Sequence, residues 1–247
     1  LGGRALQGLP AWRVARTGVA RTYQTTQLFG SLTILENILL AERVGRLGGI
    51  VSALRNAETE GFARFLLRFA GVDGDVDRLA DSLSHGEKRL VEIARALALN
   101  PKLVVCDEAV SALDKSVQAQ VLNLLKNLQQ ELGLTYLFIS HDLAVVRHIS
   151  HRVMVLYLGR VMEIADRDDI YAAPLHPYTQ ALIAAVPVPD PTRERGKRHA
   201  ALNGELPSPI NPPSGCAFHP RCPLATALCK QETPRLRDGV ACHFPQG

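Results

Sequence analysis

The stretch LVVCDEAVSALD, residues 103–114, decides the reading of this chain. Four apolar residues, Leu103 to Cys106, are enough for a short strand with both faces buried. The run ends in two adjacent carboxylates, Asp107 and Glu108, and a third, Asp114, follows six residues after Glu108. In a parallel sheet, ligands collect at the carboxyl ends of strands. An acid in that place can hold Mg²⁺, and the next acid can polarise an attacking water. A pair of carboxylates simply facing solvent is the alternative.

Working outward, the chain alternates helix and strand. Residues 86–99 place Leu90, Ile93, Ala94 and Leu97 on one helical face. Residues 117–132 do the same with Val121, Leu124, Leu125 and Leu128. A second strand is expected over 135–140, a helix over 143–149, and a hairpin over 153–165 turning at Gly159-Arg160. Short apolar strands separated by helices imply a largely parallel sheet covered on both faces, and so an α/β fold. Upstream, Ile34, Leu35, Ile38 and Leu39, then Phe62, Phe65, Leu66 and Phe69, repeat at helical spacing. They predict a small helical unit interrupted near Gly45 to Gly49.

Composition sets the limits. The 247 residues are 47% hydrophobic and 21% charged, with a formal charge of +4. That is an ordinary balance for a folded domain plus an extension. It lacks the concentrated basic stripe of a nucleic-acid binder, and the run Arg193 to His199 reads as a solvated linker. No stretch has the length of an apolar membrane span. From residue 187 the chain turns Pro-rich, and four of its five cysteines follow, Cys216, Cys222, Cys229 and Cys242. Their spacing, C-x5-C-x6-C-x12-C, departs from the close C-x2-C pairing of common zinc folds. Zinc, a [4Fe–4S] cluster and four reduced thiols packing a small tail all fit it. Cys106 reads as a small buried hydrophobe.

Two further motifs join the carboxylates. Ser84-His85-Gly86-Glu87 opens a helix, where free N–H groups and the helix dipole suit phosphate, or where Ser84 is an ordinary cap. His141 ends the second strand, in reach of a transferring phosphoryl group or of nothing but solvent.

Taken in order, five elements resemble the ATP-binding subunit of ABC transporters. ARTYQ ends at Gln24 as the Q-loop does, and LSHGE (residues 83–87) resembles the signature usually written LSGGQ. LVVCDE resembles the Walker B strand, SALD (111–114) the D-loop, and SHD (140–142) the switch histidine. The resemblance implies a P-loop NTPase-like ABC ATPase core over 1–165 with a helical subdomain at about 28–83. A Cys-containing extension would occupy 166–247. It implies ATP and Mg²⁺ as cofactors. Gln24 and Asp107 would hold the metal, Glu108 would be the general base, and His141 would stabilise the transition state. Ser84, Gly86 and Glu87 would close over an ATP held by a second subunit, and Asp114 would link the two sites. Implied partners are that second ATPase subunit, as a homo- or heterodimer, and membrane permease subunits. The implied location is peripheral, at the cytoplasmic face of the membrane.

One departure stands out. GxxxxGK[ST], whose backbone N–H groups and Lys grip the β- and γ-phosphates, occurs nowhere in the 247 residues. The chain opens on Leu1, and the expectation is that it starts inside the domain, after the phosphate loop. Residues 18–42 and 83–98 look like branched-chain amino acid importers, whereas residues from about 100 onward look like oligopeptide/dipeptide importers. HPYTQAL (176–182) and GCAFHPRCPLA (215–225) match the latter group's C-terminal region, and some of its members carry a [4Fe–4S] cluster. The expected function is the energy-coupling ATPase subunit of a peptide importer. The alternatives are a non-hydrolysing partner that lends its signature to a complete subunit, or a branched-chain amino acid importer subunit. An ABC ATPase acting on DNA or ribosomes fits neither the charge nor the C-terminal region.

Overall fold

In the computed structural model, Leu103–Asp107 is the central strand of a three-stranded parallel sheet. The structure describes residues 1–3, 5–23, 25–46, 57–111, 113–186 and 205–246. Strand β1 is Val19–Thr22, β2 is Leu103–Asp107 and β3 is Thr135–Ile139, in the order β1-β2-β3. Register pairs Thr22 with Cys106 and Asp107 with Ile139. All three strands therefore deliver their carboxyl ends to one edge. Strand β1 escaped the sequence reading because four residues including an Arg carry no periodic signal.

Side chains alternate across this sheet. Ala20, Thr22, Val104 and Cys106 lie on one buried face. Burial pushes the Cys106 thiol up to about 12, so it is an inert packing group, as expected. The expected cover on both faces does not extend to β3, where Leu137 and Ile139 are each 45% exposed. Among the described residues β3 pairs with β2 alone, at the edge of the sheet.

Around the sheet stand α1 (Ala11–Arg16), α2 (Ile34–Arg46), α3 (Ala57–Phe69), α4 (His85–Leu97) and α5 (Lys115–Leu132). Helices α2 and α3 form the predicted helical unit, and α2 also packs on α4. Ile34, Leu35, Ile38 and Leu39 are buried as expected. In α3, however, the buried side chains are Ala63, Leu66 and Leu67, whereas Phe62 and Phe65 are exposed. Of the expected stripe, Leu66 is buried and Phe69 half-buried, whereas Phe62 and Phe65 face outward. Helix α5 buries Val121, Leu124, Leu125 and Leu128, and ends at Gly133 with φ of 63°, a left-handed stop that suits glycine. The expected helix break near Gly45 to Gly49 falls largely outside the described residues, as does the linker with its basic run.

The contacts divide the chain into two compact units, Leu1–His141 and Asp142–Gly247. The second unit holds the hairpin β4 (Arg152–Tyr157) and β5 (Arg160–Asp166), which turns through Leu158 and Gly159, both at positive φ. Strand β5 also holds the tail: Ile164 N donates to Gly239 O at 2.7 Å and Ala241 N to Met162 O at 2.8 Å. The hairpin therefore belongs with the cysteine segment. Helices α6 (Leu143–Ile149), α7 (Arg167–Ala172), α8 (Pro177–Ala184) and α9 (Ala227–Gln231) complete this unit. Its core joins Tyr157, Met162, Ala217 and Phe218, with Phe218 wholly buried and its ring edge-on to Tyr157.

Candidate functional site

The carboxyl ends of β2 and β3 bring Asp107, Glu108 and His141 together. Asp107 ends β2, and its Oδ2 lies 2.6 Å from Nη2 of Arg21 on the neighbouring strand. Glu108 follows at φ of 45°, a left-handed conformation that costs a non-glycine residue about 1–2 kcal/mol. Its N–H donates to Ile139 O at 3.0 Å, extending the ladder one residue beyond the strand. The bend turns the Glu108 carboxylate toward β3, where Oε1 stands 3.4 Å from His141 Nδ1. His141 is largely exposed, and Glu108 is about a third exposed. A carboxylate and an imidazole in contact at a strand end can hold and orient a water between them and a ligand.

Behind this edge runs a buried ion pair that the sequence reading missed. Arg89 and Glu92 of α4 are 3% and 1% exposed, with Nη1 and Oε2 2.5 Å apart. Arg89 Nε donates to Ala109 O at 2.6 Å, and Nη1 donates to Tyr23 O at 2.5 Å. Tyr23 N donates to Glu92 Oε1 at 3.3 Å. One pair on α4 thereby grips the residue after Glu108 and the residue before Gln24. Gln24 itself lies outside the described residues. Two charged residues three apart inside an apolar helix were the available signal.

The other predicted residues gather at two helix starts. Ser84 Oγ accepts from Glu87 N at 3.3 Å while Glu87 Oε2 accepts from Ser84 N at 2.8 Å, a reciprocal capping box. Arg78 Nη2 donates to Glu87 Oε1 at 2.5 Å. The Ser84 hydrogen bonds, and then Arg78, hold the Glu87 carboxyl below its usual range. A Cβ on Gly86 would sit 3.0 Å from Val117 Cγ1, so glycine there lets α4 approach α5. Asp114 caps α5, with Oδ1 accepting from Ser116 N and Val117 N at 3.0 and 2.9 Å.

In the second unit, Cys216, Cys222, Cys229 and Cys242 are free thiols lining one small pocket, together with His176. Burial pushes the Cys216, Cys222 and Cys242 thiols up, and a backbone N–H two residues on opposes it in each case: Phe218, Leu224 and Phe244. Cys229 Sγ has Thr226 Oγ1 at 3.6 Å. Cys216 N donates to Cys229 O at 2.8 Å, an approach open only because Gly215 has no side chain. Thiols lining one pocket are the donor type that a thiolate-held metal group uses. Among the described residues, no group of three or more His, Cys, Asp or Glu is arranged to hold a metal ion.

Comparison with known proteins identifies the family. Residues 1–111 match the family described as ABC transporter, and residues 162–229 match the oligopeptide/dipeptide transporter C-terminal region. The probable peptide ABC transporter ATP-binding protein y4tS of Sinorhizobium fredii is 57% identical over 77% of this chain and 55% of its own length. The oligopeptide transport ATP-binding protein OppF of Salmonella typhimurium is 46% identical over 97% of this chain and 73% of its own. The chain thus spans between about half and three quarters of these relatives. Among solved structures, the ADP conformation of MJ1267, an ATP-binding cassette of an ABC transporter, shares the fold. It has a TM-score of 0.62 at 24% identity, covering 74% of each chain. A dimeric post-hydrolysis state of the cassette MJ0796 bound to ADP and Pi gives 0.57 at 27%, covering 68% of this chain and 72% of that one. The identity to OppF over nearly the whole chain, with the two family matches, shows that this chain belongs to the ABC transporter ATP-binding family, with the C-terminal region of its oligopeptide/dipeptide group.

Proposed function

We propose that this chain is the ATP-hydrolysing, energy-coupling subunit of a peptide importer. The observation that carries the reading is the contact of Glu108 with His141 beside Asp107 at one strand edge. In this reading Glu108 takes a proton from the attacking water, and His141 orients the Glu108 carboxylate and the departing phosphoryl group. Asp107 has the carboxylate chemistry and the position to hold Mg²⁺, which would neutralise developing phosphate charge, and Gln24 would be its second ligand. Ser84 offers its hydroxyl, Gly86 a close backbone, and Glu87 a fixed helix start to a nucleotide on a second ATPase subunit. Asp114 sits at the neighbouring helix start, poised to link the paired sites. The helical unit of α2 and α3 would meet permease subunits, with the chain peripheral to the cytoplasmic face of the membrane. Among the described residues no helix is long and apolar enough to cross a membrane.

We further propose that Cys216, Cys222, Cys229 and Cys242 hold a [4Fe–4S] cluster, which would supply a redox-active staple for the tail. Support comes from the one pocket that all four line.

The test is ATP turnover by the chain assembled with a complete ATPase subunit and its permease. His141→Ala lowers turnover on the order of 10²-fold or more in this reading, and unchanged turnover contradicts it. A second reading, a signature-lending partner that does not hydrolyse ATP, is favoured by Arg21 lying on Asp107. In that case Ser84→Arg abolishes turnover and His141→Ala leaves it intact.

A further inference from the structure

His176 is the buried group for which the hydrolytic reading has no use. It is 1% exposed and is among the residues that line the cysteine pocket. Nδ1 accepts from Tyr178 N at 3.0 Å and so caps α8. A ring nitrogen that accepts carries no proton, so in the neutral imidazole the proton sits on Nε2. Burial holds the ring neutral, with a pKa lowered to about 4. Nε2 is buried and has no hydrogen-bond partner. A buried donor left unsatisfied is costly, and in a native fold it calls for an explanation.

The surroundings fix this donor in place. The carboxylate of Glu163, itself 2% exposed, accepts from Leu175 N at 2.8 Å and from His176 N at 3.0 Å. Glu163 lies in β5, and its neighbour Met162 accepts from Ala241 N, the residue before Cys242. The same strand thus sets both the histidine and one cysteine. On another side the ring packs 5.8 Å from that of Phe218, two residues from Cys216. The imidazole is clamped at its backbone, at Nδ1 and on its ring, and only the Nε2–H edge lacks a partner.

We propose that His176 donates its Nε2–H to a sulfur of the group held by Cys216, Cys222, Cys229 and Cys242, as a positioning residue that raises the group's reduction potential. The proposal rests on the cluster reading above. Hydrogen bonds to sulfur stabilise the more negative, reduced form, so a buried donor raises the potential.

The test uses the full chain, reconstituted anaerobically with ferrous iron and sulfide. Three measurements apply: bound iron, visible absorption and a redox titration. His176→Asn keeps an acceptor for Tyr178 N and removes the Nε2–H. His176→Gln places an amide donor near the Nε2 position. The expected result is equal iron content in all three proteins, a more negative midpoint for His176→Asn, and partial return in His176→Gln. A midpoint unchanged in His176→Asn overturns the proposal while leaving the cluster reading intact. Failure of the wild-type chain to retain iron and sulfide overturns both. If His176→Asn fails to fold, the ¹⁵N-labelled wild-type chain decides. Its His176 Nε2–H resonance moves on reconstitution if the proposal holds and stays in place if it does not.

Discussion

The guanidinium of Arg21 lies 2.6 Å from the Asp107 carboxylate, on the oxygen edge where the family reading puts a divalent cation. Arg21 also stands 5.0 Å over the Tyr23 ring, so the cation rests between a carboxylate and an aromatic face. Metal and guanidinium compete for the same charge. Arg21→Met therefore tightens Mn²⁺ binding, read by electron paramagnetic resonance, on the order of tenfold, and Asp107→Asn abolishes it. Because the pair is partly exposed, the same substitution changes stability by less than about 1 kcal/mol. Equal Mn²⁺ affinity in Arg21→Met and wild type contradicts the competition.

The pair Arg89 and Glu92 behaves differently because it is buried. Glu92→Ala leaves a buried guanidinium uncompensated and frees Tyr23 N, costing about 3–5 kcal/mol in chemical denaturation. Replacing both members by apolar residues, Arg89→Met with Glu92→Leu, costs less than the single change. A single-variant loss under about 1 kcal/mol shows that the pair is not the clamp described.

Much of this was legible beforehand, and the misses have physical causes. The apolar run ending at Asp107 and Glu108 fixed a strand end, and the stripes of α4 and α5 fixed two helices. Those signals are periodic and local. Strand β1 is too short to have a period. Phe62 and Phe65 have helical spacing, but burial in α3 goes to Ala63, Leu66 and Leu67, and spacing alone does not choose the face. The Arg89–Glu92 clamp and the Nε2–H of His176 depend on partners distant in sequence, and hydrogen bonds of that range leave no periodic trace. The hairpin joined the tail because its β5 strand pairs with residues 239–241.

Acid weakens the start of α4. The Ser84 hydrogen bonds and Arg78 lower the Glu87 pKa in the fold, so the stabilisation is present above the ordinary carboxylate range. It is lost as pH falls from there through the lowered folded value. In wild type, stability should drop over this acid interval by at most about 1 kcal/mol from this group. Glu87→Gln removes that part of the slope and leaves stability at pH 7 slightly lower. An identical pH profile for the two proteins contradicts the assignment.

Gly215 has φ of 65°, and an added Cβ would lie 2.5 Å from Cys229 O. Gly215→Ala must break the Cys216 N to Cys229 O bond or move the Cys229 segment. It should destabilise the second unit by about 1–3 kcal/mol and reduce iron retention after reconstitution. Thermal unfolding followed together with iron content checks both, and a variant as stable as wild type contradicts the close approach.

Hydrolysis depends most directly on Glu108 in the proposed reaction. The deciding measurement is ATP turnover by the chain assembled with a complete ATPase subunit and permease, comparing wild type with Glu108→Gln. Loss of a general base predicts a fall on the order of 10²-fold or more with the assembly intact. Turnover equal to wild type would remove Glu108 from the reaction and contradict the hydrolytic reading.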